Sequence, residues 1–143
     1  MANVHDVAAY ILSKRSPITA MKLQKLVYYS QAWSLVWDDA PLFNEQIEAW
    51  ANGPVVRELY EYHRGAFKVG QWDIGNPKNL TSSEKETVDQ VLKYYGHMSS
   101  QELSNRTHQE EPWREARRGM QPDERGDRVI SLASMVEYYS GLK

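Results

Sequence analysis

His108 and Glu111, in the run "THQEEPW" at 107–113, stand three residues apart. On one helical turn that spacing sets an imidazole beside a carboxylate, the start of a metal site or an acid–base pair. Two ligands do not complete a site. The other histidines, His5, His63 and His97, fall in no HExxH-like spacing. Pro112 interrupts the helix at the same place, which favours a histidine hydrogen-bonded to stabilise a bend, with Thr107 or the neighbouring carboxylates helping. Serines, histidines and aspartates are plentiful, but none lies in a GxSxG context, and GxxxxGK[ST] and GxGxxG are both missing. The chain has no cysteine, so disulfides, cysteine zinc sites and a thiol nucleophile are excluded. The sequence predicts no catalytic residue, no metal ligand set and no cofactor: a protein that is not an enzyme.

Charge points the same way. Arg106, Arg114, Arg117, Arg118, Arg125 and Arg128 crowd one stretch, but Glu110, Glu111, Glu115, Asp123, Glu124 and Asp127 are interleaved with them. Mixed charge of that kind describes a solvated face or local ion pairs better than a phosphate-binding surface. The formal net charge of −2 gives no general attraction to nucleic acid or anionic lipid. Only the turn from Lys22 to Lys25 offers the basic and amide side chains of a recognition helix, and the same turn can serve a protein partner. Nine tyrosines and five tryptophans against two phenylalanines suit either an interface or a core that uses polar-tipped aromatics.

These residues need elements to hold them. A chain of 143 residues suits one domain, 1–143. No apolar run approaches a membrane span or a signal-peptide core, which with the missing cysteines predicts a cytoplasmic protein. Val4, Val7, Ala8, Ile11 and Leu12 follow a helical stripe behind a cap at Asn3. Thr19 caps a second helix carrying "MKLQKLVYYSQAW", 21–33. Its Leu23, Leu26, Val27 and Trp33 fall near one face, which leaves Lys22, Lys25 and Tyr29 for an exposed contact surface. Residues 45–52 read as a short β element, and Gly53-Pro54 as the turn into a third helix. Residues 64–80 read as a surface connection. Thr81 with Glu84, or Ser83 with Glu86, caps a helix ended by Gly96, and Ser99 with Glu102 caps the next. Further helices follow at Pro112 and across Leu132–Tyr139. The expected fold is mainly α: a single compact domain of about six helices with at most a short β element near residues 45–52.

Three runs in combination carry a resemblance. "MKLQKLVYYSQAW", then "PLFNEQIEAWANGPVVRELY" at 41–60, then "LSNRTHQEEPWREA" at 103–116 resemble the Panacea-domain antitoxin family, with its SocA-like and phage-associated GepA-like proteins. The likeness extends over most of the chain. It implies a small helical antitoxin domain, usually encoded beside a toxin, that neutralises this cognate protein toxin by direct binding. The alternative is a prophage-associated regulatory protein, or a proteolytic adaptor that delivers a partner to an AAA+ protease. Lys22, Gln24, Lys25, Tyr28, Tyr29 and Gln31 match the family's second-helix run, and Thr107, His108, Pro112 and Trp113 its third. Leu23, Leu26, Trp50, Gly53, Pro54, Val55, Thr107 and Pro112 read as structural. Lys22, Lys25, Tyr28, Tyr29, Gln31, His108 and Trp113 are the candidates for partner contact. Charge and the lack of a long apolar run predict no membrane partner and argue against a nucleic-acid partner, and a homo-oligomer stays open.

Overall fold

The computed structural model describes residues 2–142, so the two terminal positions of the expected 1–143 domain lie outside it. The fold is mainly α-helical. In chain order it runs α1 (Val4–Lys14), β1 (Ile18–Thr19), α2 (Ala20–Trp37), β2 (Glu48–Trp50), β3 (Gly53–Val55) and α3 (Arg57–His63). It continues with β4 (Lys68–Val69), a 3-10 turn (Pro77–Asn79), α4 (Ser82–Tyr95), α5 (Ser100–His108), α6 (Glu111–Ala116) and α7 (Leu132–Ser140).

Local chemistry sets the helix starts. Asn3, Thr81 and Ser99 each accept a hydrogen bond from the backbone three residues on, while the acid at that position, Asp6, Glu84 or Glu102, bonds back to the cap. Each box satisfies two otherwise orphaned N–H groups. Thr19 caps α2 alone, through Lys22 N–H.

α2 is the axis of the fold. It packs against α1, α4, α5, α7 and β3, and every residue from Leu23 to Leu35 is buried. The single apolar face expected from the sequence is therefore corrected: the helix is enclosed on all sides. Around it lies a continuous apolar cluster that includes Val7, Ile11, Leu26, Leu59, Val91, Leu103 and Met135. A helix buried all round must satisfy every polar side chain internally.

The β structure is richer than the single element expected. β2 and β3 form an antiparallel hairpin in which Trp50 pairs with Gly53. Gly53 has φ +123°, a backbone region closed to residues with a Cβ. Gly53-Pro54 therefore opens a strand, not the third helix, which begins at Arg57. After the polar loop at 117–128 the chain returns to the hairpin. Ala49 N–H donates to Arg128 O, Ile130 N–H donates to Ile47 O, and Glu48 bridges Val129. A second tiny sheet pairs β1 with β4, so the expected surface connection at 64–80 is partly ordered by strand pairing. It also buries Trp72 under the indole's bond to His5 Nδ1.

Candidate functional site

Several buried polar residues of α2 each hold a different piece of chain. Gln24 is a two-way clamp. Its Oε1 accepts from Val56 N–H at 2.8 Å, and its amide donates to Val56 O and to His63 Nε2. This fixes the step from β3 into α3. Two turns on, Gln31 does the same for the loop after α2: Oε1 accepts from Leu42 N–H at 2.7 Å, and Nε2 donates to Phe43 O. A backbone amide pair buried without such partners costs the desolvation of both groups, so these two glutamines are structural requirements.

Tyr28 and Tyr29 reach the other end of the chain. Tyr29 and Tyr139 both donate to Glu110 Oε1 at 2.7 Å, and Tyr28 lies 3.0 Å from the Tyr139 hydroxyl. Burial raises the Glu110 pKa, against the two tyrosine bonds that lower it. All three phenols are pushed upward, chiefly by burial. This network joins α2, the start of α6 and α7. Tyr29 also stacks on Tyr95 at 4.0 Å, and Trp33 donates to the Tyr95 hydroxyl.

Lys22 sits at the half-exposed start of α2, and its ammonium donates to Gly96 O at 2.7 Å, capping the end of α4. Lys25 is different. It is 1% exposed, and its Nζ has no hydrogen-bond partner. Burial drives its pKa from 10.5 down to about 7. Gly53 lies against the aliphatic end of this side chain: a Cβ there would stand 2.6 Å from Lys25 Cε and 3.2 Å from Thr107 Oγ1. His108 Nε2 is the other buried side-chain nitrogen that makes no hydrogen bond among the described residues. Its ring stacks on Trp113 at 4.2 Å. Burial, then the Lys25 and Arg117 charges, hold this histidine below its ordinary range, against hydrogen bonds to the Ala51 and Asn52 backbone.

The three runs singled out in the sequence thus meet at one place. Lys25 comes from the first, Gly53 from the second, and Thr107, His108 and Trp113 from the third. What they build is a support for the β2–β3 hairpin. Arg117 Nη1 donates to Ala49 O, Trp113 Nε1 to Trp50 O and Ser104 Oγ to Asn52 O, at 2.8–2.9 Å. Leu23, Leu26, Gly53, Pro54, Val55, Thr107 and Pro112 are buried, and Trp50 is half-buried.

The expected contact surface needs correction. Lys25, Tyr28, Tyr29 and Gln31 are 0–1% exposed, and Trp113 is 8% exposed. They offer no surface in this fold, because each except Lys25 spends its polar group on an internal partner. Lys22 and His108 keep partial exposure. His108 and Glu111 do not form a metal pair with a third ligand: among the described residues no three His, Cys, Asp or Glu side chains converge. The sequence missed Gln24 as a clamp and Glu110 as the acceptor of two tyrosines. A buried glutamine and a buried glutamate carry no periodic signal that would mark them.

The match to known families agrees with this convergence. The family model described as "Antitoxin SocA-like, Panacea domain" matches residues 23–114. The chain belongs to the SocA-like Panacea-domain family. The matched span opens at Leu23 in α2 and closes at Arg114 in α6, so it contains all three runs and the hairpin they support. Comparison with curated proteins and with solved structures gave no match. No helix among the described residues of this Panacea domain is long and apolar enough to cross a membrane.

Proposed function

We propose that this protein is the antitoxin of a toxin–antitoxin pair, and that it neutralises its cognate protein toxin by direct contact, without turnover and without a cofactor or metal. The single observation that carries this reading is the match of residues 23–114 to the SocA-like Panacea domain. The geometry supports it in one respect. His108 and Glu111, the pair that first suggested chemistry, gather no third ligand among the described residues, and the buried Lys25 and Glu110 are enclosed by the scaffold. That leaves surface recognition as the work of the domain.

The reading is tested by placing the neighbouring reading frame under an inducible promoter and this chain under a second one. Induction of the neighbour alone should arrest growth, and co-expression should restore it. The two purified proteins should then co-elute as a stoichiometric complex. Growth arrest that the folded chain does not relieve would refute the proposal.

A further inference from the structure

The segment after α3 is held down by one side chain. From Arg64 to Asn79, Trp72 is the only buried residue. The ends of this segment are tied separately: β4 pairs with β1, and Asn76 N–H donates to Asp6 Oδ1 at 2.8 Å. Between those ties, residues 70–75 form a strap across the start of α1. Gly75 leaves no room for a Cβ against the His5 carbonyl, so the strap's backbone lies directly on that helix. Trp72 is 8% exposed, and its indole Nε1 donates to His5 Nδ1 at 3.1 Å.

That bond fixes the state of the histidine. An indole nitrogen can only donate, so the His5 Nδ1 that accepts from it must be bare. The ring proton of neutral His5 therefore sits on Nε2, where it donates to Glu58 Oε2 at 2.9 Å. The two ring planes lie 18° apart, which lets the indole N–H meet the in-plane lone pair of Nδ1. A second proton has only Nδ1 to go to. There it would set two N–H groups head to head and break the Trp72 bond, while the Glu58 bond would remain and become an ion pair. The charged groups around the ring favour that proton. Glu58 reaches it from α3, and the Asp6 carboxylate acts on it from its own helix. Tyr62 of α3 packs edge to face on His5 at 4.9 Å, and His63 stands beside Trp72, with ring centroids 6.3 Å apart.

We infer that His5 and Trp72 form an acid-released latch: a proton taken up on His5 Nδ1 breaks the indole bond and frees the strap at 70–75 while the rest of the domain stays folded. Histidine is the side chain suited to this, because it alone ordinarily changes charge in mild acid. The ties at the two ends persist there. The β1–β4 pairing is backbone to backbone. Burial raises the Asp6 carboxyl, but the Asn76 and Asn3 amides outweigh it and hold the group below 3.8. Opening is therefore local, confined to the few residues whose one buried side chain has lost its partner. It removes Trp72 from His5 and His63, and it moves Ile74, which is already half-exposed. The inference does not depend on the antitoxin reading.

The test follows hydrogen exchange of the indole N–H groups in the full chain by NMR, from about pH 7.5 down to about pH 5. Exposed Trp37 gives the unprotected rate at each pH. Trp33 and Trp113, whose indoles bond to the Tyr95 hydroxyl and to Trp50 O, report on the rest of the fold. At the upper pH the His5 ring should carry its proton on Nε2 alone. Toward the lower pH, Trp72 should lose protection by about tenfold or more, the effect of one buried hydrogen bond, while Trp33 and Trp113 keep theirs. His5→Asn offers an acceptor oxygen near the Nδ1 position but takes up no proton, so its Trp72 protection should not respond to pH. Glu58→Gln, at an exposed position, removes a charge that favours the proton, so release should move to lower pH. Flat Trp72 protection in wild type, equal losses at all three buried indoles, or an Nδ1–H tautomer at the upper pH would each overturn the inference. So would acid release that survives in His5→Asn, which would pass the role to His63. Should His5→Asn fail to fold, Glu58→Gln decides: release at the same or a higher pH than in wild type rejects the latch.

Discussion

Replacing Lys25 with methionine should make the protein more stable at neutral pH and remove most of its pH dependence in mild base. The Lys25 amine is enclosed and unpartnered, and burial lowers its pKa from 10.5 to about 7. Between those values the unfolded chain holds a proton that the folded chain gives up. Stability then rises with pH across the window from about 7 to 10.5, at up to about 1.4 kcal/mol per pH unit. Across the whole window from about 7 to 10.5 this amounts to a ceiling of about 5 kcal/mol, which relaxation of the site reduces. Methionine reaches as far as the Cε that lies against Gly53 but has no amine to protonate. Urea unfolding at pH 7.5, 8.5 and 9.5, followed by the fluorescence of the buried tryptophans, gives the free energies by linear extrapolation. Wild type should gain about 2–3 kcal/mol across that range relative to Lys25→Met. The variant should be the more stable of the two at pH 7.5. The range avoids the other shifted groups. His63 and His108 are lowered from 6.5 and act below it, and the tyrosines are raised from 10 and act above it. Lys22 is lowered too, through burial, but it is present in both proteins and cancels in the difference. Parallel curves, or a methionine variant less stable than wild type at pH 7.5, would show that the amine has a stabilising partner and refute the reasoning.

Gly53→Ala should destabilise by about 2–4 kcal/mol, from the positive φ together with a Cβ 2.6 Å from Lys25 Cε; thermal or urea melts read it directly. Tyr29→Phe removes one of two hydroxyl donors to Glu110, so the Glu110 carboxyl should titrate at higher pH than in wild type, with a loss of about 1–3 kcal/mol. Carboxyl-carbon NMR across a pH series checks the direction, and an unchanged or lower Glu110 pKa would contradict the network.

The capped helices were readable from sequence because capping is local. Asn3, Thr81 with Glu84, and Ser99 with Glu102 state their helix starts within four residues. The surroundings of α2 were not readable in the same way. Leu23, Leu26, Val27 and Trp33 suggest a one-sided stripe, yet what encloses the helix is set by partners far along the chain, at Val56, Glu110 and Tyr139. Nothing in the spacing of Tyr28 and Tyr29 says that a buried glutamate will accept from one and a distant tyrosine will meet the other. The same limit hid the β1–β4 pairing, whose two-residue strands are too short to show a period.

This arrangement also changes how the family resemblance should be used. A lysine- and tyrosine-rich helix shared with an antitoxin family looks like a contact surface, and under the proposed function a charge reversal at Lys25 would abolish neutralisation. It would do so by placing a carboxylate in an enclosed site where the native amine finds no hydrogen-bond partner, a cost that the fold rather than the interface would bear. Loss of rescue in such a variant carries no information about the toxin. The polar residues of α2 stitch the hairpin, the loop after α2 and the last helix to one axis, and the hairpin in turn holds Trp50 at the edge of an open groove. The shared runs are therefore spent on the fold itself. Substitutions that probe a partner without disturbing the fold belong at exposed side chains such as Arg64, Phe67 and Arg125, where no internal side-chain bond is broken.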